Sequence, residues 1–418
     1  MTSTPSSTVS DRSVLIPDAL DRPGDDPIFA LHGEAQRRQL AGEDVVNATI
    51  GALIEDEGPL AILPIVRDTL AAVDPVRAAA YAPIAGEPDF LRAVIADAFG
   101  AHPLGERAVA VATPGGTGAI HHAIANFLEP GQALLTSSYY WGPYETLATQ
   151  GRRAVETFEM FDAQGGFNVA AFERALASQM ARQGRVLILL NTPCHNPTGF
   201  SMHADERRAV AQLVREQSRR GPIALLIDNA YSHFGGSQSG DWVGDFAQIG
   251  DEAALLVAWT VSKSFAQYGA RVGALVAAHS DPAERSRIYN ALSFSCRGTW
   301  SNCNHQGMLA ITELLTDPAK RARVERERAR LIALLSERVR VFNQLAPRAG
   351  LSYPRYEGGF FVTVFTPDPR ASAARMRELG VYVVPVHRAL RVALCATAAA
   401  AVPRVVEALR AGLAAVRP

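Results

Sequence analysis

Between residues 108 and 276 the sequence alternates two kinds of segment, and few folds accept that alternation. Six runs are short, continuous and apolar: 108–112, 133–136, 186–190, 223–227, 255–258 and 272–276. Such runs suit strands buried on both faces. Helical periodicity falls between them, at about 116–128, 169–182 and 204–219. The alternation predicts an α/β fold with a large, mostly parallel sheet. Sheets of this kind collect their ligands beyond the carboxyl ends of the strands.

The pattern changes after about residue 312. A long charged helix carries Val324, Leu331, Leu335, Val339 and Phe342 on one stripe. Beyond it come an apolar run at 359–365, a helix around 369–379, short strands at 381–384 and 390–394, and a closing helix near 402–416. This reads as a smaller α+β domain. We expect 60–312 to form the large domain, and 27–59 plus 313–418 the small one. In the N-terminal part, a helix is predicted from Pro27, extended chain at 45–51, and a helix from about Leu60 to Val73. Residues 1–26 read as a disordered lead, without the basic start and apolar core of a signal peptide.

Composition excludes several functions. Net charge is −1, so neither nucleic acid nor an anionic membrane is an expected partner. No apolar run approaches the roughly 20 residues of a membrane span. Cys194, Cys296, Cys303 and Cys395 match neither a disulfide framework nor a zinc pattern. They read as reduced thiols of a cytoplasmic protein, and no metal site is expected.

One residue type is scarce in an informative way. Only Lys263 and Lys320 are lysines; every other basic residue is arginine. Arginine stays protonated at ordinary pH, whereas a desolvated lysine loses its proton and attacks carbonyl carbon. Lys320 lies on a charged helix face. Lys263 follows the apolar run 253–260 and is expected to be a Schiff-base lysine.

Four stretches fall at the ends of predicted strands. Thr113-Pro-Gly-Gly-Thr-Gly opens a helix whose free N–H groups suit an anion. Asn191-Thr-Pro-Cys-His-Asn-Pro-Thr-Gly holds Asn196 in a stiff turn. Asp228-Asn-Ala-Tyr231 sets an acid at a strand end, where it needs a cationic partner. Thr260, Ser262, Lys263 and Arg271 form the fourth stretch. Pyridoxal phosphate meets all four demands: a phosphate for the helix N-terminus, hydroxyls and arginine fork, a ring nitrogen for the acid, and an aldehyde for the lysine.

The motifs His195-Asn-Pro-Thr-Gly, Asp228-x-Ala-Tyr231 and Ser262-Lys-x-Phe-x-x-Tyr-x-x-Arg-Val-Gly273 resemble those of class I, fold-type I aminotransferases, within them the aspartate/aromatic group. The resemblance covers roughly 27–396. It implies that Lys263 bonds the cofactor aldehyde and shuttles the proton, and that Asp228 binds the ring nitrogen. It implies that Tyr231 and Asn196 donate to the phenolic oxygen, and that Trp141 and Ala230 flank the ring. Gly115, Gly116, Thr117, Thr260, Ser262 and Arg271 would hold the phosphate. Tyr81 would reach the phosphate of a neighbouring subunit, which implies a homodimer with shared active sites. Arg391, rather than nearby Arg388, would grip the substrate α-carboxylate, with Gly51 beside it. Arg297 resembles the arginine that binds the distal carboxylate of dicarboxylic substrates from the partner. The chain departs from the family at Cys303-Asn304 and at the apolar pair Leu53-Ile54, which suits a bulky or apolar side chain as well as an acidic one. Gly358-Gly359-Phe360 would form another pocket wall.

The expected reaction is ping-pong transfer of an amino group between an L-amino acid and a 2-oxo acid. A lyase, a decarboxylase or an oxygen-using amino-acid oxidase or hydroxylase on the same scaffold is the alternative. A cofactor-binding sensor would need a fused DNA-binding segment, for which residues 1–26 are too short. His195 reads either as a tuner of the ring or as a structural histidine. Tyr268 reads either as a phosphate-site support or as packing. The arginine-rich face at 318–340, interleaved with glutamates 325, 327 and 337, reads as solvated.

Overall fold

A computed structural model describes residues 13–24, 27–235, 241–249 and 251–416. The expectation of a disordered lead falls largely on residues 1–12 and 25–26, outside the described residues. Between them, Pro17–Ala19 forms one 3-10 turn. The predicted first helix spans Pro27–Leu40.

β1 (Val46–Asn47) is followed by the strands of the main sheet: β2 (Ala108–Thr113), β3 (Ala133–Ser137), β4 (Ala154–Phe158), β5 (Val186–Asn191), β6 (Ile223–Asp228), β7 (Ala254–Thr260) and β8 (Gly273–Ala278). Their spatial order is β2-β8-β7-β6-β5-β3-β4. Only β8 opposes its neighbours; it is antiparallel to both β2 and β7. Every residue of β5 to β8 is buried, which accounts for their continuous apolar sequence. β4 escapes the sequence reading because it is a half-exposed edge strand, Ala-Val-Glu-Thr-Phe, with polar residues inside it.

Beyond the main sheet, β9 (Phe361–Phe365), β10 (Val381–Tyr382), β11 (Val384–Val386) and β12 (Ala389–Ala393) complete the described strands. β11, β12 and β9 form an antiparallel sheet. β10 pairs in parallel with β1, Val46 opposite Val381, so the N-terminal segment adds to the C-terminal part. Of the extended chain expected at 45–51, only Val46–Asn47 joins a ladder. The helix expected from Leu60 begins instead at Pro64, because Leu60 is bridged to Ile54.

The long helix Pro318–Leu345 buries the predicted stripe, yet one arginine on it contradicts the solvated reading. Arg321 and Arg323 pair with Glu325 and Glu327 at the surface, whereas Arg338 is fully buried. Its guanidinium finds four oxygen acceptors inside the protein, which is what lets an arginine sit there.

Candidate active site

Because β2, β5, β6 and β7 point the same way, their last residues, Thr113, Asn191, Asp228 and Thr260, share one end of the sheet. A cleft of about 330 Å³ opens beside that end. Gly51, Gly116, Thr117, Trp141 and Asn196 line it. So do Asp228, Ala230, Tyr231, Thr260, Ser262, Lys263, Arg271 and Arg391.

Lys263 lies on a single helical turn, Val261–Ser264, capped by the Thr260 hydroxyl, which accepts from Ser262 N. That cap aims the side chain off the end of β7 into the cleft. Its Nζ donates to Gly51 O at 2.7 Å and sits 4.5 Å from the Tyr268 ring centroid. Burial pulls the amine down to about 8, and Arg271 and Arg391 push the same way. A neutral amine is therefore accessible near neutral pH.

Asp228 is buried, and burial pushes its carboxyl above the ordinary range. Tyr144 Oη donates to Asp228 Oδ2 at 2.7 Å and the Ala230 N–H to Oδ1 at 3.3 Å, both favouring the charged form. Tyr144, itself fully buried, is a residue the sequence reading missed. Its signal was present: in Trp141-Gly-Pro-Tyr144 it stands three residues past Trp141, at the start of the helix Pro143–Gln150. Its own hydroxyl is held far above the usual phenol range by burial and by Asp228, so it remains a donor. Tyr144→Phe is expected to reduce turnover about tenfold, the worth of one hydrogen bond to a buried charge. Steady-state assays of the variant check this.

The turn at 191–199 is tied down by its own polar groups. Asn191 Oδ1 accepts from Asn196 N at 2.5 Å, and Asn191 Nδ2 donates to Asp228 O at 2.8 Å. This sets the Asn196 amide 3.5 Å from Tyr231 Oη. Asn196 Oδ1 is buried without a hydrogen-bond partner among the described residues, as expected of an amide awaiting a polar ligand. His195 lies behind this turn and outside the main cleft. Its Nδ1 is 2.8 Å from Thr198 Oγ1, and burial pulls it down to about 3, a neutral structural histidine.

The helix Gly115–Phe127 has no side-chain cap at its N-terminus. Arg271 closes over it, donating to Pro114 O at 2.9 Å and to Tyr268 O at 3.0 Å. Gly115, at φ 72°, lies beneath the Arg271 guanidinium, where any Cβ would collide with it. Free helix N–H groups, two hydroxyls and a guanidinium make a phosphate cradle. A buried carboxylate, the Asn196 Nδ2 donor beside Tyr231 Oη and a lysine amine at suitable places complete the set of groups for a phosphorylated heteroaromatic aldehyde. The residues present thus fit pyridoxal phosphate.

Some residues lie elsewhere. Tyr81 is 93% exposed, and Arg297 is exposed and bonded to Ser301 Oγ at 3.2 Å; neither lines this chain's own cleft. Arg388 is exposed outside the main cleft, whereas Arg391 is buried in β12 and donates to Thr49 O at 2.6 Å. The expected pocket walls shift by one or a few residues. Leu53 is buried in the core and Ile54 turns into a bridge, so Ile50 and Ala52 line the cleft instead. Phe360 packs on Tyr231 and Phe234, and Phe361 faces the cleft, with Arg391 stacked 4.5 Å from its ring centroid. Ile28 and Phe29 of the first helix also line it, and their sequence gave no such sign. Tyr268 is more than packing: its hydroxyl accepts from Leu53 N at 2.8 Å. His122 stacks on Trp300, and no metal-binding cluster occurs among the described residues.

Such a fold and cleft define a transferase built round an aldehyde cofactor. Residues 43–409 match the family model described as aminotransferase class I and II. The aromatic-amino-acid aminotransferase of Escherichia coli is 28% identical over 86% of this chain and 91% of its own length. Relatives named for tyrosine or aspartate match over similar lengths. An aminotransferase from Anaerococcus prevotii superposes with a TM-score of 0.88 at 30% identity, covering 97% of this chain and all of its own. An aromatic-amino-acid aminotransferase from Burkholderia pseudomallei, covalently bound to pyridoxal phosphate, does so at 0.77 and 26%, covering 94% and 98%. The chain belongs to the class I and II aminotransferases.

Proposed function

We propose that this pyridoxal-phosphate-dependent aminotransferase prefers L-amino acids with aromatic or large apolar side chains, exchanging their amino group with a 2-oxo acid. The observation that carries the preference is the cleft wall. Ile28, Phe29, Ile50, Ala52, Ile120 and Phe361 face it, and its arginines, Arg271 and Arg391, are suited to the phosphate and the α-carboxylate. A distal carboxylate would need Arg297 from a second subunit. The relative named for aromatic amino acids supports the same reading.

Bound pyridoxal phosphate supplies an aldehyde that condenses with amines and a protonated ring that accepts electrons. The chain's residues supply the rest. Asp228 holds the ring nitrogen's proton, with Tyr144 keeping the carboxylate charged. Asn196 and Tyr231 hydrogen-bond the phenolic oxygen. Trp141 and Ala230 flank the ring. Gly116, Thr117, Thr260, Ser262 and Arg271 hold the phosphate. Arg391 fixes the α-carboxylate by a two-pronged contact. Lys263 would hold the cofactor aldehyde and, as a free amine, would serve as the base that moves the proton at the substrate α-carbon.

Exposed Tyr81, Val76 and Phe294 support a homodimer in which Tyr81 completes the partner's phosphate site. The β1–β10 pairing supports 27–59 plus 313–418 as one domain against 60–312. Four free cysteines support a cytoplasmic location, and no described helix is long and apolar enough to cross a membrane.

A half-reaction panel tests the substrate reading. Phenylalanine or tyrosine is expected to convert the cofactor to its amine form with one equivalent of 2-oxo acid, at a kcat/KM at least about tenfold above that of aspartate. Arg391→Lys is expected to raise KM for every amino acid about 10²-fold, because a point charge replaces a planar fork. Aspartate preferred over phenylalanine would contradict the proposal.

A further inference from the structure

The same short segment holds both ends of the reacting geometry. Thr49 O accepts from Arg391 at 2.6 Å, and two residues on Gly51 O accepts from Lys263 Nζ at 2.7 Å. The position of residues 49–51 therefore sets where the carboxylate fork stands relative to the amine. Something must hold that segment, since β1 ends at Asn47 and residues 48–53 belong to no strand.

Ala48 bonds to Tyr382 and Ala393, and Leu53 to Tyr268 and Ala61; Arg338 holds the far end. Its Nη2 donates to Ile54 O at 2.5 Å and to Asp56 Oδ1 at 2.7 Å. Its Nη1 donates to Cys395 O at 2.6 Å and Leu394 O at 3.2 Å. One edge of the guanidinium thus grips the end of the segment that carries Gly51, and the other the turn that follows Arg391 in β12. The two pieces also meet directly: Ile54 N donates to Cys395 O at 2.9 Å. The carbonyl of Cys395, with two lone pairs, accepts both bonds. A rigid, planar, permanently charged fork is suited to bridging two backbone turns at once. The arginine side chain is fully buried, so its bonds to the Leu394 and Cys395 carbonyls are shielded from water, whereas Asp56 is partly exposed.

We infer that Arg338 is a positioning residue for substrate recognition: by clamping 54–56 to 394–395 it fixes the spacing between the Lys263 amine and the Arg391 guanidinium. This rests on the reading of Arg391 as the α-carboxylate binder. It touches neither substrate nor cofactor, and acts through the two segments it joins.

The test uses the holoenzyme and 3-phenylpropionate, a carboxylate without an amine to react, with binding followed by calorimetry. Arg338→Lys keeps the charge but cannot span both turns. It is expected to retain full cofactor occupancy while weakening 3-phenylpropionate binding about tenfold or more, with KM for phenylalanine rising in step and kcat falling less. Asp56→Asn leaves the three carbonyl contacts intact and is expected to weaken binding about threefold. A merely structural role would lower the melting temperature but leave the dissociation constant of the folded holoenzyme within about twofold of wild type; that result overturns the inference. Should Arg338→Lys fail to fold, Asp56→Asn decides, weaker binding supporting the clamp and unchanged binding overturning it. If wild type binds 3-phenylpropionate and Arg391→Lys binds it equally well, the reading of Arg391 fails instead.

Discussion

Lys263→Ala is expected to retain pyridoxal phosphate yet lose turnover by at least about 10⁴-fold. The loss has two sources. Lys263 is the amine that bonds the cofactor aldehyde, and it is the base that moves the proton at the substrate α-carbon; the second role alone is worth about 10²–10⁴-fold. Retention follows because Asp228, Arg271 and the free N-terminus of the helix Gly115–Phe127 remain in place. No arginine substitutes, since a guanidinium cannot become the neutral nucleophile. The amine's own titration adds a pH signature. Burial pulls it down to about 8, so it is charged and unreactive well below that pH and neutral above it. The rate at which apoprotein forms its covalent link to added cofactor is expected to rise with pH up to about 8 and then level off. A rate independent of pH from 6 to 9 would contradict a titrating amine there.

Asp228→Asn is expected to have two effects of opposite sign. Turnover falls by about 10²–10⁴-fold, the kinetic equivalent of the roughly 3–5 kcal/mol lost when one partner of a buried charge pair is removed. Apoprotein stability moves the other way. Burial raises the Asp228 carboxyl above its value in the unfolded chain, so the stability it contributes is full at low pH and lost as pH rises through its folded pKa. At neutral pH the buried carboxylate is a cost, and asparagine removes that charge while keeping an acceptor for Tyr144. The variant apoprotein is expected to melt higher than wild type at neutral pH, with the gain shrinking on acidification. Thermal denaturation across pH and steady-state turnover measure both effects. Strain of this kind, which Tyr144 and the Ala230 N–H offset in part and a ligand's positive charge would relieve further, is a common signature of a functional site.

The fold was legible because strands buried on both faces must be written as continuous apolar runs. That is why β5, β6 and β7 stand out in the sequence and the edge strand β4 does not. The centre of the cleft was legible for a related reason. Asp228 and Thr260 are polar residues closing such runs, and Asn196 and Lys263 sit in the turns just beyond them, where the sheet leaves all four at one end. Residues brought in from distant elements carried no comparable local signal. Ile28 and Phe29 read as an ordinary helix start, and the facing side of 50–54 depends on where Leu53 turns inward. Arg338 looked like one more member of a charged helix face. Only the closeness of 54–56 and 394–395 in space makes it a buried clamp. Tyr144 needed the third dimension as well: its place just past Trp141 marks it as near the cleft, but only the fold brings it to a carboxylate 84 residues later.

Which amine carries the cofactor is directly measurable. Holoenzyme reduced with borohydride and digested should yield one phosphopyridoxyl-labelled peptide, modified at Lys263. Label at Lys320 or the N-terminal amine, or no label on a protein that has bound the cofactor, would contradict it.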